Sequence, residues 1–418
     1  MEIARPSYLA SLAAKRDNGQ IKVVTGIRRC GKSYLLLRLF PRMLAEGGVS
    51  PDHVVAVDLE DYANRRLRDP EALYEYVSGH VSGDGATTYV LIDEVQRVEG
   101  FEDAVMGIAH LPGTDVYVTG SNSKGLSSDV ITEFRGRGDQ VRVRPLSFAE
   151  YLPAHGGTER RAWQDYYTFG GMPLVLSQAS DAERVAYLQG LFDTVYLRDV
   201  CERHDVRHED ALDALVSVLA SADGSLTSLV ALQNTFRSER RASVTDKTIK
   251  AYIDYLKDAF LLDQAERYDV KGRRYISSPK KYYFEDVGLR NARLGMRQQD
   301  EGHIMENVVY NELRRRGWSV DVGVVPVTET GGDGARHQRR LEIDFVARRG
   351  SDQVYVQSAY ALPTPEKVEQ EYRSLRKVRD SFRKFVVVGD DVRARRGDDG
   401  IVTIGIVDFL LDARSLEL

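Results

Sequence analysis

The chain has 418 residues, 42% of them hydrophobic and 29% charged, with a formal net charge of -5. That length exceeds a single core and predicts two to three domains of the soluble globular class. The two cysteines, Cys30 and Cys201, exclude a disulfide framework or a cysteine zinc site, no apolar stretch reaches the ~20 residues that cross a bilayer, and the acidic total confines any nucleic-acid surface to local basic clusters. A reducing, cytoplasmic setting is the expectation. The start, MEIARPSYLASLAAKRD, reads as a first helix rather than a signal peptide.

In chain order, IKVVT (21–25), HVVAVDL (53–59), TYVLID (88–93), DVYVTG (115–120) and QVRVRPL (140–146) are strand-like, with helical stretches near 32–46, 70–82 and 101–110. Strands this apolar, alternating with helices, predict an α/β fold with a mostly parallel sheet covered on both faces. Residues 147–206 read as helical, interrupted by AHGG and FGGMP. Residues 207–285 hold short helices and then a β-like segment rich in Lys, Arg and Tyr. The last part, 300–418, opens with the helix HIMENVVYNELRRRG. It continues through strands WSVDVGVV, RRLEIDFVARR and QVYVQSAY, a helix near 365–379 and the strand KFVVVGD. TETGGDGARHQ (328–338) is the expected loop. Four segments are therefore expected: a core over 1–146, a helical lid over 147–206, a small domain over 207–290 and an α/β domain over 300–418.

Between the first strand and its helix, Gly26-Ile27-Arg28-Arg29-Cys30-Gly31-Lys32-Ser33 satisfies G-x-x-x-x-G-K-[ST], and Tyr34 follows inside the helix. Such a loop curls backbone N–H groups around phosphate oxygens, glycine supplies the dihedrals, and the helix N-terminus adds its dipole. Lys32 would reach the β- and γ-phosphates of ATP, and the Ser33 hydroxyl would ligate Mg2+. The plain alternative is a glycine-containing turn with an exposed lysine; the strand–loop–helix setting favours the cradle. Asp93 and Glu94 end the third strand at the sheet edge where ligands bind in open α/β folds. Asp93 is expected to hold the metal, and Glu94 to activate the attacking water. Ser121 and Asn122, after the next strand, fit either a γ-phosphate sensor or a polar turn. Arg135 and Arg137 fit either a transition-state finger reaching a neighbouring subunit or a solvated turn.

With GIRRCGKS, VLIDE, VTGSNS, RGR and PLSFAEYL, followed by GGMP and VYLRDV, the sequence resembles a widespread prokaryotic family. Its members are AAA-type P-loop ATPases that carry a winged-helix segment and a C-terminal restriction-endonuclease-like domain. The resemblance covers nearly the whole chain, with its specific motifs in the N-terminal part. It implies an AAA-type core with the nucleotide at a subunit boundary, and hence a homo-oligomer with a hexameric ring as the expected form. It carries Lys32, Ser33, Asp93, Glu94 and Asn122 to the nucleotide site and Arg135 or Arg137 to the in-trans position.

In SLTSLVALQNTFRSERRASVTDKTIKAYIDYLKDAFLL (225–262), Ile249, Tyr252, Ile253 and Leu256 recur at helical spacing, with Lys247, Thr248 and Lys250 on other faces. The basic stretch KGRRYISSPKK follows, contributing Lys271, Arg273, Arg274, Lys280 and Lys281. Short helices and a basic hairpin predict a winged helix that lies on DNA; a hairpin that is merely solvated, or that grips protein, has the same composition. In the C-terminal part Glu306 and Asp344 supply acids of the restriction-nuclease kind. Gln357 and Ala359 stand where the glutamate and lysine of such a site belong. A neutral amide is a weak ligand for a hard cation, so this domain is expected not to cut. Arg373, Arg376, Lys377, Arg379, Arg383 and Lys384 give it a locally basic helix. The expected activity is ATP hydrolysis coupled to DNA binding, remodelling or translocation. The alternative is a nucleotide-switched regulator that grips protein.

Overall fold

The structure, a computed structural model, describes residues 2–120, 134, 136–239, 244–297, 300–330 and 336–418. They form two compact units: Met1–Pro145 with Asp258–Phe260, and Leu146–Lys257 with Leu261–Leu418.

The first unit is built on β1 (Ile21–Thr25), β2 (Val54–Asp58), β3 (Thr88–Asp93), β4 (Thr114–Thr119) and β5 (Gly138–Arg142), in the order β2-β3-β4-β1-β5. Every pairing is parallel. β1 and β3 are buried at every position, which is why their apolar residues run without alternation, Lys22 being the charged exception within β1. Val90, Ile92 and Val118 pack with Leu73 and Val77 of the helix Pro70–Ser78 and with Val105 and Ile108 of the helix Phe101–Ala109. Each such side chain contributes about 1.5–3 kcal/mol by leaving water. Within the sheet Lys22 pairs with Asp115, which also accepts from the Tyr117 hydroxyl at 2.9 Å, so this interior cation is balanced. β5 ends earlier than its sequence suggests. β1 offers partners only to Thr25, so after the Val143 N–H bonds to the Thr25 carbonyl at 2.8 Å the chain has no strand to follow. No helix among the described residues is long and apolar enough to cross a membrane.

In the second unit the helix Phe148–His155 opens on a capping box between Ser147 and Glu150. The helix Glu159–Phe169 follows and ends at Gly170. Gly170 has φ 73°, and a Cβ there would lie 2.1 Å from Asp286 Oδ1; one at Gly171 would lie 2.3 Å from the Leu146 carbonyl oxygen. The FGGMP interruption is thus a tight crossing rather than slack chain. Asp286 accepts from the Gly171 N–H at 2.7 Å and, as the cap of the helix Val287–Arg293, from the Leu289 N–H at 3.1 Å.

Three helices, Glu209–Ser221, Leu229–Glu239 and Asp246–Asp258, precede a hairpin of β6 (Leu262–Asp269) and β7 (Arg274–Phe284). Thr227, between the first two helices, exchanges backbone hydrogen bonds with Lys280 of β7 at 2.7 and 3.0 Å. The remaining strands are β8 (Ser319–Thr330), β9 (Arg336–Arg349), β10 (Asp352–Ala359), β11 (Arg383–Val388), β12 (Arg395–Arg396) and β13 (Val402–Gly405). They join the hairpin in one mixed sheet of order β12-β13-β11-β10-β9-β8-β6-β7. β6 runs parallel to β8 through the pairs Arg267–Val322 and Asp269–Val324, so the sheet crosses the expected boundary near residues 290–300. The expected loop at 328–338 is narrower than its composition suggests. β8 and β9 stay paired out to Thr330–Arg336, and residues 331–335 lie outside the described ones.

Candidate nucleotide site

β1 delivers the chain to Gly26 at the C-terminal edge of the parallel sheet. Gly26 has φ 139°, and a Cβ on it would stand 2.0 Å from the Val143 carbonyl oxygen, so this position admits only glycine. Gly31 (φ 99°) turns the chain into a helix that runs as Lys32–Tyr34, a π-helical turn Leu35–Leu39, and Phe40–Glu46. Arg5 braces the loop from behind, donating to the carbonyls of Cys30 at 3.1 Å and Arg144 at 2.7 Å. The Cys30 thiol is buried and points at the Val143 carbonyl, which makes it packing rather than a reactive group.

Lys32 is 4% exposed and folds back over the loop, donating to the carbonyls of Gly26 at 2.9 Å and Ile27 at 3.1 Å. These neutral carbonyls bring the ammonium no counter-charge, and anionic phosphate oxygens would replace them with ion-paired hydrogen bonds. Tyr34 behaves otherwise: it is 43% exposed and its hydroxyl donates to Glu2 at 3.2 Å.

β3 and β1 flank β4, so Asp93 and the loop meet at one edge. The Ser33 side chain lies close enough to Asp93 to favour its ionised form. Thr119, the last residue of β4, donates its hydroxyl to Asp93 and accepts the Glu94 N–H at 3.0 Å. Glu94 adopts φ 53°, a left-handed conformation rare for this residue type, and its carboxylate accepts from the Gln96 side-chain amide. Burial pushes the Asp93 carboxyl up to about 6, against the hydrogen bond from Thr119 and the nearby Ser33 hydroxyl that favour its ionised form; the nearby charges of Glu94 and Asp58 push the same way as burial. Asp93, with the Thr119 and Ser33 hydroxyls beside it, offers oxygen donors of the kind Mg2+ takes; among the described residues no group of three or more acids, histidines or cysteines is placed to hold a metal ion by itself. Thr119 and Gln96 were not singled out by sequence; a polar residue ending a buried strand next to the acid-bearing strand was the available signal.

Asn122 and Arg135 lie outside the described residues. Arg137 precedes β5, and its carbonyl accepts from the N–H of Ile21, the first residue of β1. It therefore sits at the N-terminal edge of the sheet, a strand length (about 16 Å) from the loop that follows β1. Its guanidinium rests 2.5 Å from His110 Nε2.

The basic residues read as a DNA surface divide. Lys247, Lys250, Arg273 and Arg274 are exposed. Lys271 donates to the Pro326 carbonyl at 2.6 Å, and Lys280 pairs with Glu266 at 2.8 Å. Lys281 must be corrected: it is 4% exposed and faces inward, with Nζ 2.8 Å from both Glu306 and Glu342 and 3.9 Å from Asp344. Strand alternation along β7 explains it, because the neighbour that bonds outward, Lys280, leaves position 281 on the opposite face. Glu306 and Asp344 do converge, as their sequence positions suggested. The Gln357 oxygen accepts from the Asp344 N–H at 3.3 Å, and its amide donates to Glu371 at 3.1 Å. On the basic helix Arg376 is engaged by Asp399 at 2.8 Å and by Glu369.

A family model described as an AAA domain matches residues 18–152, and one described as a domain of unknown function matches residues 160–300. The chain is 31% identical over 414 residues to an uncharacterized protein of Haemophilus influenzae, covering 98% of each. It is 25% identical over 391 residues to an uncharacterized protein of Methanocaldococcus jannaschii, covering 90% of this chain and 83% of that one. Among solved structures, the Aeropyrum pernix ORC1 protein in complex with DNA is similar at 14% identity and a TM-score of 0.27, over 71% of this chain and 93% of that one. The replication initiator DnaA bound to AMPPCP and single-stranded DNA is similar at 14% identity and a TM-score of 0.31, over 62% and 90%. At such scores these likenesses decide nothing about this chain.

Proposed function

Because the chain belongs to the AAA-type P-loop family, we propose that it is an oligomeric, Mg2+-dependent ATPase that couples hydrolysis to the binding, remodelling or translocation of DNA. The observation that carries the ATPase reading is the nearness of Ser33, on the phosphate loop, to the buried Asp93, which brings the loop and the acid pair to one edge of the sheet. In this reading Lys32 leaves the Gly26 and Ile27 carbonyls to bind the β- and γ-phosphates. Ser33 and Asp93 hold Mg2+, which neutralises charge on the transferred group. Glu94, kept in place by its N–H bond to Thr119, accepts the proton of the attacking water. Asn122 orients that water, and Arg135 or Arg137 serves the nucleotide of a neighbouring subunit. The location of Arg137 at the far sheet edge supports action in trans, since it is remote from its own loop.

The DNA part rests on the three helices and hairpin of residues 209–284, read as a winged helix with Lys247, Lys250, Arg273 and Arg274 toward the phosphate backbone. The sheet of β8 to β13 is read as a nuclease-like domain that does not cut. The burial of Lys281 and the engagement of Lys271 and Lys280 by neighbouring groups thin the basic face and favour a second reading, a nucleotide-switched protein that grips a protein partner. ATP turnover of the purified chain across single-stranded, duplex and junction DNA separates the two. DNA-stimulated turnover with salt-sensitive binding supports the motor. Absence of binding to every DNA with nucleotide present removes it. Equal turnover in wild type and Glu94→Gln removes the assignment of the base.

A further inference from the structure

Three carboxylates, Glu306 on the helix Glu301–Arg315 and Glu342 and Asp344 on β9, converge in the second unit. Interior charges persist only when paired or when they ligate a metal. We propose that the ammonium of Lys281 is the resident cation of this centre, occupying the place a divalent metal would take and closing the centre to metal-dependent phosphodiester chemistry. This inference goes beyond the ATPase reading and does not depend on it.

The contacts support occupation rather than neighbourhood. Lys281 carries three N–H donors and no acceptor, and three carboxylates face it, two at 2.8 Å and the third at 3.9 Å. The atoms it meets, Glu306 Oε1, Glu342 Oε1 and Asp344 Oδ1, are the oxygens a cation at this point would have to share. Other donors take further lone pairs: the Tyr283 hydroxyl bonds Glu306 Oε1 at 2.6 Å, and the Ser358 N–H bonds Asp344 Oδ2 at 2.8 Å. A hard divalent ion needs about six oxygens within about 2.0–2.6 Å; here Glu306 Oε1 already holds Lys281 and Tyr283, Asp344 Oδ2 holds the Ser358 N–H, and the ammonium stands against Glu342 and Asp344 Oδ1. Gln357 adds no charge, and its amide is turned to Glu371. Lys281 stays protonated: burial alone would disfavour its charge, but Glu306, Asp344 and Glu342 outweigh that and raise it far above an ordinary lysine. The cation comes from β7, not from β10, where Ala359 stands.

The test counts Mn2+ bound to the full chain without nucleotide, by electron paramagnetic resonance of the free ion. Wild type and Asp344→Asn are expected to bind equal amounts, and Lys281→Met one more ion per chain, lost again in Lys281→Met/Asp344→Asn. Should Lys281→Met fail to fold, Lys281→Gln takes its place with the same expected gain. Mn2+ bound by wild type and lost in Asp344→Asn would overturn the proposal, with or without a folded Lys281 variant. A folded Lys281 variant that gains no ion would do the same.

Discussion

Asp93 combines two demands in one side chain: it is buried, which favours its protonated form, and the proposed metal needs it ionised. Its folded-state value of about 6 lies above the ordinary 3.8, so its contribution to stability is present below pH 3.8 and lost as pH rises through about 6. Metal binding has the opposite sign. Mg-nucleotide affinity is expected to rise between pH 5 and pH 7.5 and to lose most of that dependence in Asp93→Asn, as fluorescent-nucleotide titrations at both pH values would read. A flat profile in wild type would contradict the metal assignment. Lys32→Ala is expected to abolish nucleotide binding. Glu94→Gln is expected to retain binding while lowering turnover by about 10²–10⁴-fold in steady-state assays, the size of a lost general base. At this scale Lys32, Ser33, Asp93 and Glu94 can be singled out as candidates from local motifs, because spacing along one strand and one loop is local information. Thr119 and the inward turn of Lys281 escaped it, since their partners are remote in sequence and a basic stretch looks the same whichever way each side chain faces.

Elements were legible where burial is uniform. The runs at 21–25 and 88–93 match β1 and β3 because both faces of each strand are covered along its whole length. β5 and the 328–338 segment were misjudged for a shared reason: a strand lasts as long as its neighbour supplies hydrogen bonds, and no single segment records its neighbour's length. The FGGMP break was visible, but not its partner Asp286, which lies more than a hundred residues on. Asp286→Ala removes a helix cap and leaves the buried Gly171 N–H unpaired, at a cost of about 2–4 kcal/mol. The urea midpoint is expected to fall accordingly with little change in slope; an unchanged midpoint would count against this crossing as a stabilising joint.

For the whole molecule, assembly is the question. If Arg137 serves a neighbour, Arg137→Ala and Lys32→Ala chains should each be inactive alone and recover part of the turnover when mixed, with light scattering confirming mixed oligomers. No recovery in confirmed oligomers would assign Arg137 to its own subunit or to none. The sheet that β6 and β7 share with β8 to β13 bears on how such a chain can change over time. A gene cut near codon 290 would strip β6 of its parallel partner and leave the carboxylates of Glu306, Glu342 and Asp344 without Lys281. Descendants can therefore trade the β6–β7 hairpin and the acidic domain only as one inherited block, and a hybrid that joined them from two ancestors would have to bring the matching lysine along.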